Sequence, residues 1–477
     1  MYIYTSSAID EHNQYYVSKY SKIARKVVMR LKWKCLLGVI GIILLGTNVK
    51  AYDNTDTYIV DLKKTVSFYS ESQSGKDYHI VTEEELKELL EMDIVEYYEP
   101  NYEVKLLGDY WNLDAIETEF AWDMGCYGND VRIAVIDSGC SLVGDIDKNV
   151  DNGYNYINQN TDTTDNVGHG TFVSGIIASQ SNGISYKSKI IPLKCFDTGV
   201  TTTVSDIIGI VYDAVDIYNC DVINMSIGFT GYSTKLARAI TYATSNGVIV
   251  VSAVGNDGEA TKYYPAAYDN VIGVASVNKN KEYSEFSQFN NSVFVCAPGE
   301  DLESLSIESY TYNSGTSFAA PHVTAMAAIA KCIDDDISVN KFKELLIDSS
   351  TDLGASGYDI HYGYGLINIK EFIKQAIDET SVFMFPINQE DNEIYSVIYN
   401  NSDTDMNVTC ISAEYENSKM YDCKMVPVLI PSGQTYIFQN LYSGKAFKYM
   451  VWNNLKTIKP LVNYRTYEKK GDIINVE

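Results

Sequence analysis

Three side chains of this sequence, a carboxylate, an imidazole and a hydroxyl, could together activate a nucleophile. Asp137 ends the apolar run "VRIAVID", His169 lies between two glycines in "GHGT", and Ser317 begins the stretch "SFAAPHVTAMAAIA". A serine hydroxyl is a weak nucleophile at neutral pH unless a base removes its proton, and an imidazole is a suitable base. The base needs a carboxylate that holds its tautomer and stabilises its charged form. The three residues therefore have the chemistry for attack on a carbonyl carbon.

A fourth polar side chain could stabilise the negative charge that forms on the attacked carbonyl oxygen. Asn256 ends the apolar run "VIVVSAVGN", and its amide could donate to this oxygen together with the main-chain N–H of Ser317. We expect Ser317 at the N-terminal end of a helix, where the partial positive charge favours an anion. We expect Pro321 to cost little there, because the N–H groups of a first helical turn have no helical partner.

These residues lie at the ends of predicted strands and the starts of predicted helices, which alternate from about Asp109 to Glu379. Near-continuous Val and Ile runs predict strands buried on both faces, as in a parallel sheet between helices. In such folds ligands bind beyond the carboxyl ends of the strands. The predicted strands are "VRIAVID", "KIIPLKCF", "DVINMSIG", "VIVVSAVGN", "NVIGVASV" and "VFVCAPG". The predicted helices include "TFVSGIIAS", "VSDIIGIVYDAVDIY", "TKLARAITYATSNG" and "SFAAPHVTAMAAIAKCI".

The segments around these residues resemble those of the subtilisin-like serine proteases (subtilases, peptidase family S8). "VIDSG", "GHGT", "AVGN", "CAPG" and "GTSFAAPH" occur in the family's order, and the resemblance covers roughly Asp109 to Ala376. It implies an α/β fold in which Asp137, His169 and Ser317 form a catalytic triad and Asn256 completes the oxyanion hole. It also implies the activity, hydrolysis of peptide bonds through an acyl-enzyme.

The resemblance further implies a substrate cleft in which "NMSIGF" pairs with an extended peptide by strand addition. Phe229 stands where relatives commonly have a second glycine, and Val254 and Tyr263 stand where small residues often flank the primary pocket. If those side chains point inward, the pocket is shallow and favours small or medium residues. The expected substrate-binding residues are Ser226, Ile227, Gly228, Val254 and Tyr263.

No cofactor is required for this chemistry, and calcium is possible without an assigned site. Subtilases often hold calcium in a loop after the catalytic histidine, but "IIASQSNGISYKS" lacks the Asn-rich insertion of that loop. The carboxylate-rich "VGDIDKNVDNGYN" could bind calcium, although acidic loops are usually just solvated. The cysteines show no CxxC or metal-ligand spacing, which argues against zinc. We therefore assign no residue as a metal ligand.

A segment near the N-terminus has the pattern of an export signal. "MRLKWKCLLGVIGIILLGTNVKAYD" has a basic start, an apolar run from Cys35 to Gly46, and small residues at Val49 and Ala51. The run is short for a transmembrane helix, which needs about 20 residues. We expect export with cleavage after Ala51, the protein being secreted or at the cell surface. Residues 1–28 precede this segment. Either translation begins at Met29, or the segment is an uncleaved anchor and the catalytic domain is extracellular.

The pattern divides the chain into four parts. Residues 1–51 form the N-terminal extension and export segment, and residues 52–107 a small acidic unit with two predicted strands, "TYIVDL" and "IVEYYEPNYEV", around a predicted helix, "TEEELKELLE". The resemblance implies that this unit is an inhibitory propeptide, cut between about Glu103 and Tyr110. Residues 108–379 form the catalytic domain. Residues 380–477 contain only predicted strands, separated by Asn, Asp, Ser and Gly turns, and we expect a small all-β module that resembles a β-sandwich.

The charge balance and the site limit the partners. The 37 Lys and Arg residues against 63 Asp and Glu residues give a formal net charge of -26, which repels nucleic acid and anionic lipid. The expected partners are protein or peptide substrates and the chain's own propeptide, with a membrane only if the export segment stays uncleaved. The alternative in another class is a cell-surface binding protein on an inactive protease scaffold. A narrower alternative is maturation of one exported peptide.

Other histidines and cysteines are interpreted as structural. His322 lies on the helix that follows Ser317 and His361 lies near the end of the catalytic part, and neither is assigned to catalysis. Cys410 and Cys423 could bridge neighbouring strands after export.

Overall fold

The computed structural model describes residues 57–62, 79–82, 86–87, 89–90, 92, 94–100, 110–377, 381–390, 393–416, 419–441, 446–452 and 465–467. The chain divides into two units, Met1–Gly108 and Asp109–Glu477, and each is described by itself. The export segment predicted within residues 1–51 lies outside the described residues. Over the residues that are described, no helix combines the length and the apolar character needed to cross a membrane.

The first unit contains a three-stranded antiparallel sheet. Strand β1 (Thr57–Leu62) lies between β2 (His79–Thr82) and β3 (Val95–Pro100). Val60 of the central strand is wholly buried, so one face of this sheet is covered.

The second unit is built around a seven-stranded sheet. Its strands are β4 (Arg132–Asp137), β5 (Tyr154–Asn155), β6 (Lys189–Lys194), β7 (Val222–Met225), β8 (Ile249–Ala253), β9 (Ile272–Val277) and β10 (Val295–Pro298). They lie in the order β10-β9-β8-β7-β4-β6-β5. Every pair of neighbouring strands in this sheet is parallel, so all their carboxyl ends meet at one edge. This confirms the parallel sheet expected from the near-continuous apolar runs.

Helices cover both faces of this sheet. They are α1 (Trp111–Ala115), α2 (Glu119–Asp123), α3 (His169–Ala178), α4 (Val204–Asp216), α5 (Thr234–Ser245), α6 (Thr316–Ile333), α7 (Val339–Ser349) and α8 (Ile369–Ala376). Along β4, Ile133 and Val135 belong to a core shared with α3 and α6, whereas Ala134 and Ile136 face a second core shared with α4 and α5. Between β10 and α6 lies the hairpin of β11 (Leu302–Leu305) and β12 (Tyr310–Asn313).

The C-terminal strands form two four-stranded antiparallel sheets. Ile394 and Phe438 of one sheet share a core with Cys410 and Tyr449 of the other, so the two sheets pack as a sandwich. This confirms the expected all-β C-terminal part. The first sheet contains β13 (Val382–Met384), β14 (Asn388–Glu390), β15 (Glu393–Asn400) and β18 (Thr435–Leu441). The second contains β16 (Met406–Glu416), β17 (Lys419–Ile430), β19 (Ala446–Trp452) and β20 (Arg465–Tyr467).

The sandwich is joined to the helices of the parallel-sheet part by a common core. Phe385, Val397 and Tyr399 belong to the same buried cluster as α3 and α6. Asn388 Nδ2 donates to Gly125 O at 3.0 Å, and a methyl group placed on Gly125 would lie 2.8 Å from this nitrogen. Removing the sandwich would therefore expose apolar surface on the part of the chain that carries the parallel sheet.

The two cysteines proposed as a bridge are not opposite each other. In the β16–β17 ladder, Cys410 pairs with Val426, and Cys423 pairs with Ala413. A shift of three residues is about 10 Å along a strand, beyond the reach of a disulfide, and it places the two side chains on opposite faces of the sheet. Cys410 and Cys423 therefore do not bridge these strands.

Candidate active site

The four candidate catalytic residues lie at the carboxyl edge of the parallel sheet. Asp137 is the last residue of β4, and Asn256 follows the end of β8. His169 is the first residue of α3, and Ser317 is in the first turn of α6. Helices α3 and α6 pack on the same face of the sheet, so both deliver their N-termini to this edge.

Asp137 and His169 form a close pair. His169 Nδ1 lies 2.8 Å from Asp137 Oδ1 and 2.9 Å from Oδ2. An ionised carboxylate only accepts hydrogen bonds, so Nδ1 carries the proton and Nε2 remains as the basic nitrogen. Ser138 N donates to Asp137 Oδ1 at 2.7 Å, and the carboxylate is 2% exposed. The pair therefore fixes both the tautomer and the direction of the imidazole.

The surroundings of His169 act on its pKa in opposite directions. Burial of the imidazole disfavours its charged form and lowers the pKa. The charge of Asp137, its hydrogen bond and the more distant charge of Asp165 favour the charged form, and together they raise the pKa of His169 above its ordinary value. The site therefore stabilises the imidazolium that a general base becomes.

Asp165 holds the loop that leads into α3, a role that the sequence interpretation did not assign. Its buried carboxylate accepts from Val167 N and Gly168 N, each at 2.9 Å. It also accepts from Thr171 N at 2.9 Å and Thr171 Oγ1 at 2.8 Å. These bonds satisfy N–H groups at the start of the helix, as a capping residue does. The sequence signal was an acidic residue four positions before His169.

Ser317 is paired with Ser226, which follows β7. Ser317 Oγ donates to Ser226 O at 3.3 Å, and Ser226 Oγ donates to Ser317 O at 2.7 Å. The ring of Phe318, the next residue, lies 5.3 Å from the His169 ring. The Ser317 hydroxyl therefore donates to Ser226 and makes no hydrogen bond to His169 in this structure. A bond between a nucleophile and its base often forms or tightens only when substrate binds.

Pro321 does not lie in the first turn of its helix, so the reason expected for its tolerance is wrong. Helix α6 begins at Thr316, so Pro321 lies beyond the first turn and its missing N–H leaves Ser317 O without the usual i→i−4 donor. The hydroxyl of Ser226 donates to that carbonyl instead. The proline is therefore compatible with the helix because a side chain from the segment after β7 replaces the lost hydrogen bond.

The orientation of the Asn256 amide is fixed by Thr316. Asn256 Oδ1 accepts from Thr316 N at 2.8 Å and from Thr316 Oγ1 at 2.8 Å. Because both of these groups donate, the amide oxygen faces α6 and Nδ2 is left to donate elsewhere. A methyl group placed on Gly315 would lie 3.5 Å from Nδ2, so this glycine keeps the space beside the donor open. The sequence interpretation did not assign this role to Thr316.

The expected substrate-binding residues separate into two groups. Ser226 exchanges hydrogen bonds with Ser317, and Gly228 lies against the ring of Tyr263. Ile227 is partly buried against the core of α4 and α5, and Val254 is fully buried in the core of α3 and α6. The structure therefore places Ser226 beside Ser317 and Gly228 beside Tyr263, whereas the side chains of Ile227 and Val254 contribute to the cores.

The remaining histidines of the catalytic part are packed as the sequence analysis expected. His322 is fully buried, with Nδ1 2.9 Å from Phe318 O and Nε2 3.0 Å from Asn112 Nδ2. The carbonyl requires a proton on Nδ1 and the amide requires a lone pair on Nε2, so His322 is neutral. The His361 ring stacks on Phe289 with centroids 4.9 Å apart.

The described residues contain no group of three or more His, Cys, Asp or Glu side chains that could hold a metal ion. In the carboxylate-rich segment, Asp151 is bound by Arg132 at 2.8 Å, and this arginine together with the N–H of Asn152 lowers the pKa of Asp151. That carboxylate is therefore already neutralised by a side chain of the protein.

This fold and this arrangement of side chains define a subtilisin-like serine protease. The model of the subtilase family matches residues 128–365. The chain is 34% identical over 301 residues to the thermophilic serine proteinase of Bacillus sp. (strain AK1), covering 59% of this chain and 74% of that protein. It is 35% identical over 270 residues to the minor extracellular protease Epr of Bacillus subtilis (strain 168), covering 55% of this chain and 41% of that protein. The chain belongs to the subtilase family and is a serine protease.

Solved structures agree with the fold. A protease from Pseudoalteromonas arctica matches with a TM-score of 0.50 and 26% identity, covering 55% of this chain and 94% of that one. The psychrophilic subtilisin-like protease Apa1 from Pseudoalteromonas sp. AS-11 matches with a TM-score of 0.53 and 19% identity, covering 56% of this chain and 98% of that one. These matches confirm the subtilisin-like α/β architecture.

Proposed function

We propose that the protein is a secreted serine endopeptidase in which Asp137, His169 and Ser317 form the catalytic triad and Asn256 supplies the oxyanion hole. The observation that carries this proposal is the fixed imidazole. Asp137 holds Nδ1 at 2.8 Å and so leaves Nε2 as the base, at the edge of the sheet where the helix of Ser317 also begins.

The reaction follows from the roles of these atoms. His169 Nε2 takes the proton of Ser317 Oγ as this oxygen attacks the peptide carbonyl carbon. The carbonyl oxygen becomes an anion that accepts from Asn256 Nδ2 and from Ser317 N. His169 returns the proton to the leaving amine, and an acyl-enzyme remains. A water molecule, deprotonated by His169, then releases the second product and restores the hydroxyl.

The substrate would bind as an extended strand along the segment that follows β7. Ser226, Ile227 and Gly228 would offer main-chain groups, which recognise a peptide without reading its sequence. Tyr263 would flank the primary pocket, whereas the side chain of Val254 lies in the core and would not reach the substrate. Protein or peptide substrates are therefore the proposed partners, with no nucleic acid.

We assign the chain as a zymogen with the four parts given by the sequence: export segment 1–51, propeptide 52–107, catalytic domain 108–379 and C-terminal module 380–477. A relative named as extracellular supports secretion. Self-cleavage between about Glu103 and Tyr110 would release the propeptide. Calcium stays possible, without an assigned site.

Labelling with a fluorophosphonate tests this proposal, because the reagent reacts only with an activated serine. We expect labelling of the wild type, its loss in Ser317→Ala, and a fall in turnover of about a millionfold, the loss known for subtilisin itself. Ser245→Ala is the matched control, since Ser245 is an exposed residue at the end of α5. In Ser317→Ala the N-terminal segment should also remain uncut. A folded wild-type protein that does not react would favour the binding-protein alternative.

A further inference from the structure

Two chain segments leave the parallel sheet on either side of the position where the attacked carbonyl must lie. Strands β7 and β8 are paired through Met225 and Ser252. The segment after β7 contains Ser226, which bonds to the nucleophile, and the segment after β8 leads to Asn256, the proposed oxyanion donor. A substrate side chain next to the attacked carbonyl must therefore enter between these two segments.

The ring of Tyr263 already occupies the space between them. A methyl group placed on Gly228 would lie 2.9 Å from Tyr263 Cδ1, and one placed on Gly255 would lie 2.9 Å from Tyr263 Cδ2. Opposite edges of the ring thus contact one glycine of each segment. Contacts this close require both positions to lack a side chain, so the glycines accommodate the ring and the ring fills the gap.

Two sets of hydrogen bonds hold Tyr263 in this place. Its hydroxyl donates to Asp257 Oδ2 at 2.6 Å. The next residue, Tyr264, exchanges main-chain hydrogen bonds of 2.9 and 2.8 Å with Phe229, the residue after Gly228. This pairing fixes the backbone from which the ring extends. Expelling the ring would break the bond to Asp257 and expose its apolar surface.

We propose that Tyr263 blocks the primary pocket, so that the protein cleaves after glycine, alanine or serine and rejects substrates with a large side chain there. This inference rests on the proposed function, because it needs Ser317 to attack the carbonyl at this place. The side chains of alanine and serine, and the hydrogen of glycine, need little of the volume that the ring fills. A phenylalanine or leucine side chain needs the volume that the ring fills.

Peptides that differ only at the residue before the cleaved bond test the inference. The series Gly, Ala, Leu and Phe is assayed as kcat/KM per active site, and the active sites are counted by fluorophosphonate titration. We expect the wild type to cleave after Ala at least about 100-fold better than after Phe, a range that pocket size alone can produce. Tyr263→Gly should lower this ratio by about 100-fold. Tyr263→Phe, which keeps the ring and removes the hydroxyl, should keep the wild-type order.

The outcomes separate the pocket from the catalytic proposal. A wild type that reacts with fluorophosphonate but cleaves after Phe or Leu as well as after Ala contradicts the blocked pocket. A Tyr263→Gly variant that titrates fully but keeps the wild-type order of substrate preference also contradicts it. If Tyr263→Gly gives no titratable sites because it does not fold, the substrate preferences of the wild type and of Tyr263→Phe decide whether the pocket is blocked. A wild type without titratable sites would instead refute the proposed function, and the inference with it.

Discussion

The hydrogen bond from Thr316 to Asn256 gives a quantitative test of how the proposed oxyanion donor is oriented. In Thr316→Val the shape of the side chain is kept, but the hydroxyl that lies 2.8 Å from Asn256 Oδ1 is lost, while the Thr316 N–H still donates to the same oxygen. One such bond is worth about 0.5–1.5 kcal/mol, which corresponds to about a 2- to 12-fold change. Because the oxyanion exists only in the transition state, we expect this loss in kcat with little change in KM.

A double-mutant cycle shows whether Thr316 acts through Asn256. Asn256→Ala alone should lower kcat by about 10²- to 10³-fold, the range known for the corresponding residue of subtilisin. In that background Thr316→Val should have almost no further effect on kcat, because the amide that it orients is gone. The assay is steady-state hydrolysis of a peptide substrate, normalised to titrated sites. A Thr316→Val loss of equal size in both backgrounds would refute the orienting role. Thr316→Val also removes the 3.2 Å hydrogen bond from Gly255 N to Thr316 Oγ1, and thermal melting of each variant controls for the stability lost with it.

Three further outcomes are expected. Asp137→Asn should move the acidic limb of the kcat/KM profile to lower pH, because the carboxylate raises the pKa of His169, and should reduce kcat by about 10⁴-fold, the size known for subtilisin; an unmoved limb would contradict this cause. Burial lowers the pKa of His322 to about 4, so the unfolded chain binds its proton first and stability is lost as the pH falls from about 6.5 to 4, by about 3 kcal/mol; urea unfolding of His322→Gln should lack this loss. Truncation after Ala376 should yield aggregated protein or a melting temperature at least about 5 °C lower, because it uncovers the core that Phe385 and Val397 complete; full solubility and unchanged melting would contradict the shared core.

The candidate site was predictable from the sequence because its parts lie at the ends of strongly patterned elements. Asp137 closes an apolar strand and His169 opens a helix, and a parallel sheet brings such ends to one edge. The supporting groups were not predictable in this way. Asp165 and Thr316 act through hydrogen bonds whose partners depend on the loop conformation, and a capping side chain alone indicates only where a helix begins.

Long-range packing and strand register also lay beyond the sequence. The contact of Asn388 with Gly125 joins residues 263 positions apart, and no local pattern indicates it. The register of Cys410 and Cys423 depends on the irregularity in strand pairing between Glu414 and Tyr415, and a shift of one residue moves a side chain to the other face of the sheet. The tolerance of Pro321 depends on Ser226, which lies far earlier in the chain and cannot be inferred from the residues around Ser317.

The exchange of hydrogen bonds between Ser226 and Ser317 ties the segment after β7, along which the substrate is proposed to bind, to the proposed nucleophile. A helical residue with an N–H at position 321 would compete for the Ser317 carbonyl and weaken this tie. Since a displacement of about 1 Å at a reacting centre can cost about 100-fold in rate, we expect the proline to favour catalysis by leaving the Ser317 carbonyl to Ser226. The bound peptide and the attacking oxygen of Ser317 would then keep the same relative position when the surrounding loops move.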